Sequence, residues 1–240
     1  MKQIILAAGK GTRLRPLTAD DPKPLVTVSD GDSIFDLTMD ASERVGSIRE
    51  AVVVVGYEAD CFRSAVGARS GDVPISLVEN ERYDSTGPVH SLSRGIEAAG
   101  DGDFVVQNGD TIYGPDALRA VTDSDADGIY LAVSPAEEFS PDDMNLTIED
   151  GRLAEVGKTI SGEPVAKSAG LVAVRGAASR EAFDDAVETL LKSESRVYWH
   201  DVLNELTARG IGVETVEVDA DSWSEIDTVE DLERARTIHG

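Results

Sequence analysis

The chain has 240 residues, 41% of them hydrophobic, enough to build the core of one large α/β domain. It carries 46 acidic against 22 basic residues, a net charge of −24. That balance excludes the basic surface nucleic acid requires, and no stretch of about 18 apolar residues marks a membrane span. In chain order, residues 3–7 read as an apolar strand that runs into a glycine loop. Residues 33–45 read as a helix with Asp32 or Ser33 as its N-cap. The β-branched run 51–55, ended by Gly56, is a buried strand. A helix over 58–66, a strand over 75–78 and a helix over 89–99 follow. Residues 104–107 form a strand that ends at Asn108-Gly109-Asp110, residues 115–121 a helix opened by Pro115, and residues 128–133 a strand. Residues 145–149 and 153–156 flank Asp150-Gly151, a two-residue hairpin signal. A strand over 169–174, helices over 178–191 and 200–208, a strand over 213–218 and a helix over 228–238 complete the chain. The last helix has Thr228 as N-cap and Asp231 at N3.

The alternation of strands and helices predicts an α/β fold with a doubly wound, mostly parallel sheet and ligands at the strand C-termini. One domain over 1–240 is expected, with 135–175 as a small antiparallel flap on the acceptor side. Cys61 is the only cysteine, which excludes a disulfide framework and a cysteine-built metal site. The three histidines show no zinc-binding spacing. The acids are spread along the chain, with 26 Asp, 20 Glu and only 6 Lys. This pattern predicts a halophilic protein, because salt screens the self-repulsion of such a surface. The first residues lead into the loop and do not read as a signal peptide, so a cytoplasmic protein is expected. Nothing in the pattern decides between a monomer and a homo-oligomer.

The loop is the most informative segment. Residues 6–17 read Leu-Ala-Ala-Gly-Lys-Gly-Thr-Arg-Leu-Arg-Pro-Leu, and Pro22-Lys23-Pro24-Leu25 follows. Glycines let backbone N–H groups approach phosphate oxygens, and Lys and Arg neutralise their charge. It is not a Walker A loop, and Leu14 stands where a dinucleotide fingerprint has its third glycine. The prolines beside Lys23 restrict its backbone and reduce the entropy lost in holding it. Lys10 and Arg15 read equally well as solvated charges.

Together these residues resemble the signature AAGxGTRLxPLT…PKPL of the nucleotidyltransferases that activate sugar 1-phosphates and alcohol phosphates. Trp223-Ser224-Glu225-Ile226-Asp227-Thr228-Val229-Glu230-Asp231-Leu232 resembles the C-terminal signature of the phosphocholine-type cytidylyltransferases in that family. The resemblance implies a Rossmann-like nucleotidyltransferase fold and Mg²⁺-dependent transfer of a nucleotidyl group from an NTP, with CTP favoured, to the phosphate of a small acceptor. It implies that Arg13 contacts the leaving pyrophosphate, that Lys23 lies by the reacting phosphates, and that Asp110 and Asp227 hold the metal. Glu225 is a weaker third carboxylate. Ala8, Gly9, Gly11, Thr12, Glu79, Asn80, Thr86, Gly87 and Asn108 fall where the family binds the nucleotide.

For the acceptor, Lys158 follows a strand and could grip a phosphate; Lys167 is a lesser rival. Tyr198, Trp199 and Trp223 could offer an aromatic face to an ammonium group, with Asp201 as counter-charge. Segment 85–88 reads Ser-Thr-Gly-Pro where the phosphocholine branch is Asn-rich. Inositol phosphate, aminoethylphosphonate and a sugar 1-phosphate all stay open as acceptors. A UTP- or dTTP-using sugar-1-phosphate enzyme and a non-catalytic nucleotide-binding module are the alternatives.

Overall fold

The computed structural model describes residues 1–136, 138–193 and 197–239. The N-terminal half holds β1 (Lys2–Ala7), β2 (Thr27–Ser29), β3 (Asp32–Ser33), α1 (Ile34–Glu43), β4 (Glu50–Val55), α2 (Ala59–Ala68), β5 (Ile75–Glu79), α3 (Pro88–Ala99), β6 (Phe104–Asn108), β7 (Thr111–Tyr113) and α4 (Pro115–Thr122). The C-terminal half holds β8 (Gly128–Ser134), β9 (Asn145–Glu149), β10 (Arg152–Gly157), β11 (Ala166–Arg175), α5 (Ala177–Leu191), α6 (Asp201–Ala208), β12 (Glu214–Glu217), β13 (Trp223–Glu225) and α7 (Val229–His239).

Nine strands form one sheet in the order β5-β4-β1-β6-β11-β8-β12-β10-β9. The β5-β4-β1-β6 half is parallel, as a β/α alternation with helical crossovers requires. β11 then enters antiparallel between β6 and β8. The C-terminal half is therefore mixed, which sharpens the expectation of a mostly parallel sheet. The antiparallel segment expected over 135–175 contains β9 and β10, and β9 also pairs back onto the start of β11. β9 and β10 pair through the Asp150-Gly151 turn, with both turn residues at positive φ, and they extend the far edge of the sheet. β11 lies in the sheet's interior. Its continuous apolar run is the sequence of a strand covered on both faces, and its direction was not encoded in that run.

Alternate residues of each strand enter different cores. Ile4, Val52, Val54 and Val106 face one layer with residues of α3, α5 and α6. Ile5, Val53, Val55 and Val105 face the other with residues of α1, α2 and α4. A third cluster joins Leu14, Val26, Ile34, Ile112, Ile226 and Leu232, so α7 packs beneath the glycine loop. α1 opens with a reciprocal Ser33–Asp36 capping box. α7 opens with the same device, since the Asp231 N–H donates to Thr228 Oγ1 and Asp231 accepts from the Thr228 N–H. Among the described residues no helix is long and apolar enough to cross a membrane.

Close packing of α3 on the sheet depends on Gly95, where an added Cβ would collide with the Ile4 side chain and come within 3.0 Å of Val54. Gly95→Val is expected to destabilise the protein by about 1–3 kcal/mol through overpacking, read as a lower urea midpoint with an unchanged slope.

Candidate active site

Three parts of the fold converge at the C-terminal edge of β1 and β6. The first is the loop after β1. Gly11 has a φ of 56°, and a Cβ there would meet Lys23 Cβ at 2.7 Å. The absence of a side chain lets the Lys23 stem pass under the loop, and Thr18 Oγ1 donates to Gly11 O at 2.7 Å to fix the crossing. Among the described residues the backbone N–H groups of Gly9, Lys10 and Gly11 donate to no protein oxygen. They remain free for an anion.

The second part is the end of β6, which carries Asn108 and Asp110. The third is the two-stranded ribbon of β7 and β13, where Glu225 pairs with Thr111 and the Ile226 N–H donates to Asp110 O at 3.0 Å. This ribbon sets Asp227 beside Asp110. The Asp227 N–H donates to Asp231 at 3.2 Å, so the cap of α7 also holds it.

Lys23 ties the three parts together. Its Nζ donates to Asp110 Oδ2 at 2.7 Å and to Asp227 Oδ1 at 2.6 Å. Arg13 Nη2 reaches the other oxygen of Asp227 at 2.8 Å. Burial opposes the charge of Lys23, but the two carboxylates outweigh it and raise its pKa above 10.5. Asp110, Glu225 and Asp227 can each offer an oxygen within 4.8 Å of the others. Glu225 is exposed to solvent at the edge of the cleft, with its carboxyl beside those of Asp110 and Asp227. Desolvation of the carboxyl, with the negative charges of Asp110 and Asp227, pushes it up to about 8. Three carboxylates brought this close are the donor set a hard divalent cation fits, and its charge would favour loss of the Glu225 proton.

Two adjoining hollows open on these residues. One, of about 250 Å³, is walled by Gly9, Gly11, Thr12, Arg13, Lys23 and the two aspartates. The other, of about 280 Å³, has Ala8, Tyr83, Thr86 and Gly87 on one side of β6, and Lys158, Ser168, Gly170, Tyr198 and His200 on the other. Asn108 lies between, accepting from Trp199 Nε1 at 2.8 Å.

The structure thus brings Ala8, Gly9, Gly11, Thr12, Arg13, Lys23, Gly87, Asn108, Asp110, Lys158, Tyr198 and Asp227 to the hollows. It corrects three expectations. Glu79 does not line either hollow; its carboxylate pairs with Arg63 at 2.6 Å on the surface. Asn80 is buried behind the wall, where its amide braces Ser91 and Thr86 and its oxygen accepts from the Arg82 N–H. Asp201 accepts the Tyr198 N–H at 2.8 Å at the start of α6 and lines neither hollow. Trp223 packs against the core on the α1/α4 face. Lys167 is held by Asp143 at 2.7 Å.

Sequence reading missed Ser168 and His200 and gave Glu225 too little weight. The pairing of β13 with β7, which no local pattern signals, aims Glu225 at Asp110. The register of β11 on β8 shifts between Ser168 and Val172, and Tyr113 Oη donates to Ala169 O at 2.7 Å and to Gly170 O at 2.9 Å. Such an irregularity re-aims side chains at the end of a strand.

The model of the nucleotidyl transferase family matches residues 2–140. The chain belongs to this family. It is 33% identical over 160 residues to a UTP–glucose-1-phosphate uridylyltransferase of Haloferax volcanii, covering 65% of this chain and 64% of that protein. It is 32% identical to an N-acetylmuramate α-1-phosphate uridylyltransferase of Caulobacter vibrioides, covering 56% of this chain and 58% of that one. The chain thus spans less than two thirds of both relatives. A CTP:phosphoglutamine cytidylyltransferase of Campylobacter jejuni is 28% identical and matched over 97% of this chain and 98% of its own. In structure, the inositol-1-phosphate CTP transferase of T. maritima superposes with a TM-score of 0.78 at 22% identity, over 99% of this chain and 95% of that one. The phosphocholine cytidylyltransferase of Streptococcus pneumoniae gives 0.77 at 22%, over 100% and 99%. These neighbours share the Rossmann-like nucleotidyltransferase fold.

Because the Lys23 pKa is raised on folding, its contribution to stability is complete below about 10.5 and fades only as pH rises past that value. Lys23→Met removes the cation between Asp110 and Asp227 and leaves only Arg13, on Asp227, to offset their repulsion. Their side chains are 30% and 22% exposed, so the cost is expected at about 1–3 kcal/mol, below that of a fully buried pair. A divalent cation should raise the Tm of the variant more than that of the unmodified protein, in melts at pH 7.

Proposed function

We propose that the protein is a Mg²⁺-dependent nucleotidyltransferase. It moves NMP from an NTP, with CTP favoured, onto the phosphate of a small alcohol phosphate, phosphonate or sugar phosphate, and releases pyrophosphate. One observation carries this reading: Lys23, Arg13, Asp110 and Asp227 meet in one bonded cluster under the free backbone N–H groups of Gly9 and Gly11. A binding module has no need of carboxylates beside a phosphate loop, because they repel the phosphates unless a cation intervenes.

In this reading an acceptor phosphate oxygen attacks the α-phosphorus, and the bond to the bridging oxygen of the leaving pyrophosphate breaks. The N–H groups of residues 9–11 and the Arg13 guanidinium hold the outgoing pyrophosphate and take up its charge. Lys23 stays by the reacting phosphates, already dry and charged, so little reorganisation is needed as charge moves. Asp110 and Asp227, with Glu225 as a third donor, would hold Mg²⁺, which supplies charge neutralisation on the phosphate oxygens. Lys158 grips the acceptor's phosphate; its nearest carboxylate, Asp142, stands at 3.8 Å and leaves it largely available. Thr86, Gly87 and Ala8 flank the nucleobase, with Asn80 as the brace behind them. Positioning of two anions in line is the larger part of the work.

The cytidylyltransferase relative matched along almost its whole length supports CTP. The uridylyltransferase relatives support a UTP- or dTTP-using sugar-1-phosphate enzyme as the second reading. The charge of −24 supports activity in concentrated salt, and the absence of any basic tract supports small-molecule partners only. The nine-stranded sheet shared by both halves of the chain supports one domain.

Asp110→Asn and Asp227→Asn are each expected to lower the turnover of pyrophosphate release by about 10²–10³-fold with the melt preserved, the range seen when one stabilising group is removed from a preorganised site. A normal rate in either variant overturns the mechanism. A screen of the four NTPs against phosphate monoesters and phosphonates decides between CTP and UTP or dTTP. In the same buffer series, the Tm is expected to rise by several degrees from dilute buffer to molar KCl; a flat response removes the halophilic reading.

A further inference from the structure

Ser168 and His200 are both buried and both form part of the cleft wall on the Lys158 side. His200 Nε2 lies 3.1 Å from Ser168 Oγ, and the Gly170 N–H donates to the same oxygen at 3.0 Å. His200 Nδ1 is buried without a partner. Burial pushes the imidazole down to about 3, so the ring is neutral and carries one N–H.

Two arrangements of the proton satisfy these contacts. If Nδ1 carries it, Ser168 donates to Nε2 and a buried N–H is left with no acceptor. If Nε2 carries it, the ring donates to Ser168, and the orphan atom is a bare nitrogen lone pair. Orphaned buried N–H groups are the rarer and costlier case, so the second arrangement is favoured. Both lone pairs of Ser168 Oγ are then occupied, by the Gly170 and His200 N–H groups. The hydroxyl can only donate, and its proton is free to meet a ligand.

A group that can only donate matches an oxygen and opposes an ammonium, which has no lone pair to offer. The aromatic residues of this wall agree. An ammonium group is recognised by several aromatic faces. Trp199 is only 3% exposed, with its ring centroid 3.9 Å from that of His200 and its Nε1 committed to Asn108. Tyr198, 47% exposed, is left as the one open aromatic face on this wall among the described residues.

We infer that Ser168, oriented by His200, reads a neutral oxygen of the acceptor, and that the acceptor is a polyol or sugar phosphate and not an ammonium-bearing phosphate. The inference rests on the transfer reading above. Ser168 is a specificity-determining residue that touches the acceptor; His200 is a positioning residue that acts through it.

The test is pyrophosphate release by the full chain with Mg²⁺, the NTP of highest turnover and four acceptors: inositol 1-phosphate, glucose 1-phosphate, phosphocholine and phosphoethanolamine. The expected kcat/KM is highest for one of the first two. Ser168→Ala should raise the KM for that acceptor about tenfold, the effect of one lost hydrogen bond, and leave the KM for the NTP in place. His200→Leu should do the same. His200→Gln should recover most of the affinity, because an amide N–H can replace the ring N–H toward Ser168. A preference for either ammonium acceptor overturns the inference and leaves the transfer reading standing. So does a Ser168→Ala variant whose acceptor KM is unchanged. Equal losses in the Gln and Leu variants overturn the role of His200. Release that no acceptor raises above the rate without one overturns the transfer reading, and this inference with it.

Discussion

The ammonium of Lys23 is the contact on which the rest of the site depends. It joins Asp110 and Asp227, which lie 87 and 204 residues away along the chain. Each segment reaches that point by a different device. The turn carrying Lys23 passes under Gly11, β6 delivers Asp110 at its C-terminal end, and the β7–β13 ribbon with the cap of α7 delivers Asp227. Remove the cation and the two carboxylates repel across a distance that the fold has already fixed. The cluster is therefore both a clasp for the tertiary structure and a source of strain that a second cation would relieve.

The charge balance of the cluster also fits its place beside a phosphate loop. Desolvation, with the charges of Asp110 and Asp227, raises the Glu225 carboxyl to about 8, so near pH 7 Lys23 and Arg13 balance the two aspartates and Glu225 keeps its proton. A site whose cations are already held by carboxylates is a poor receptor for a polyphosphate on its own. It becomes a good one when a divalent cation tips the balance, since the arginine, the lysine and the free N–H groups then all act with the cation. Arg13, half-exposed, pairs with Asp227 at 2.8 Å, a local partner that a phosphate can replace.

The opposite wall depends on topology. Because β11 runs antiparallel to β6, its N-terminal residues lie at the edge where β6 ends. A parallel strand in that position would bring its C-terminal end there instead. Ser168 and Gly170 thus stand beside Asn108 only because the sheet changes direction at β11, and the irregularity that Tyr113 secures turns Ser168 toward His200.

These relations mark what the sequence could disclose. Signals confined to a few residues were legible: the Ser33 and Thr228 caps, the Asp150-Gly151 turn, and the alternation of apolar strands with amphipathic helices. The loop cations and the two aspartates were legible through resemblance, because the motif carries them in fixed spacing. The direction of β11 was not legible, since an apolar run has no polarity. Glu79 was expected at the nucleotide through the resemblance, and Asp201 as a counter-charge beside the aromatic cluster. Each instead has a partner supplied by the fold: Arg63 for Glu79, and the Tyr198 N–H for Asp201. Ser168 and His200 gave no signal because a serine and a histidine 32 residues apart acquire meaning only when strand register and a helix start bring them together.

Under the transfer reading, the site's cations receive anionic substrates within a chain of net charge −24. Salt acts differently on the two scales involved. The Debye length falls to about 3 Å in molar salt, so the repulsion between a distant acidic surface and an incoming polyphosphate is removed. The contacts of Lys23, at 2.6 and 2.7 Å and shielded from solvent by the Gly11 loop, lie inside that length and persist. Concentrated salt would therefore open the approach to the cleft without dissolving the clasp that organises it. In dilute buffer both the fold and the encounter with an anion work against the same long-range field. This gives the acidic surface a consequence for association as well as for stability, and makes the dryness of the Lys23 contacts the feature that separates the two.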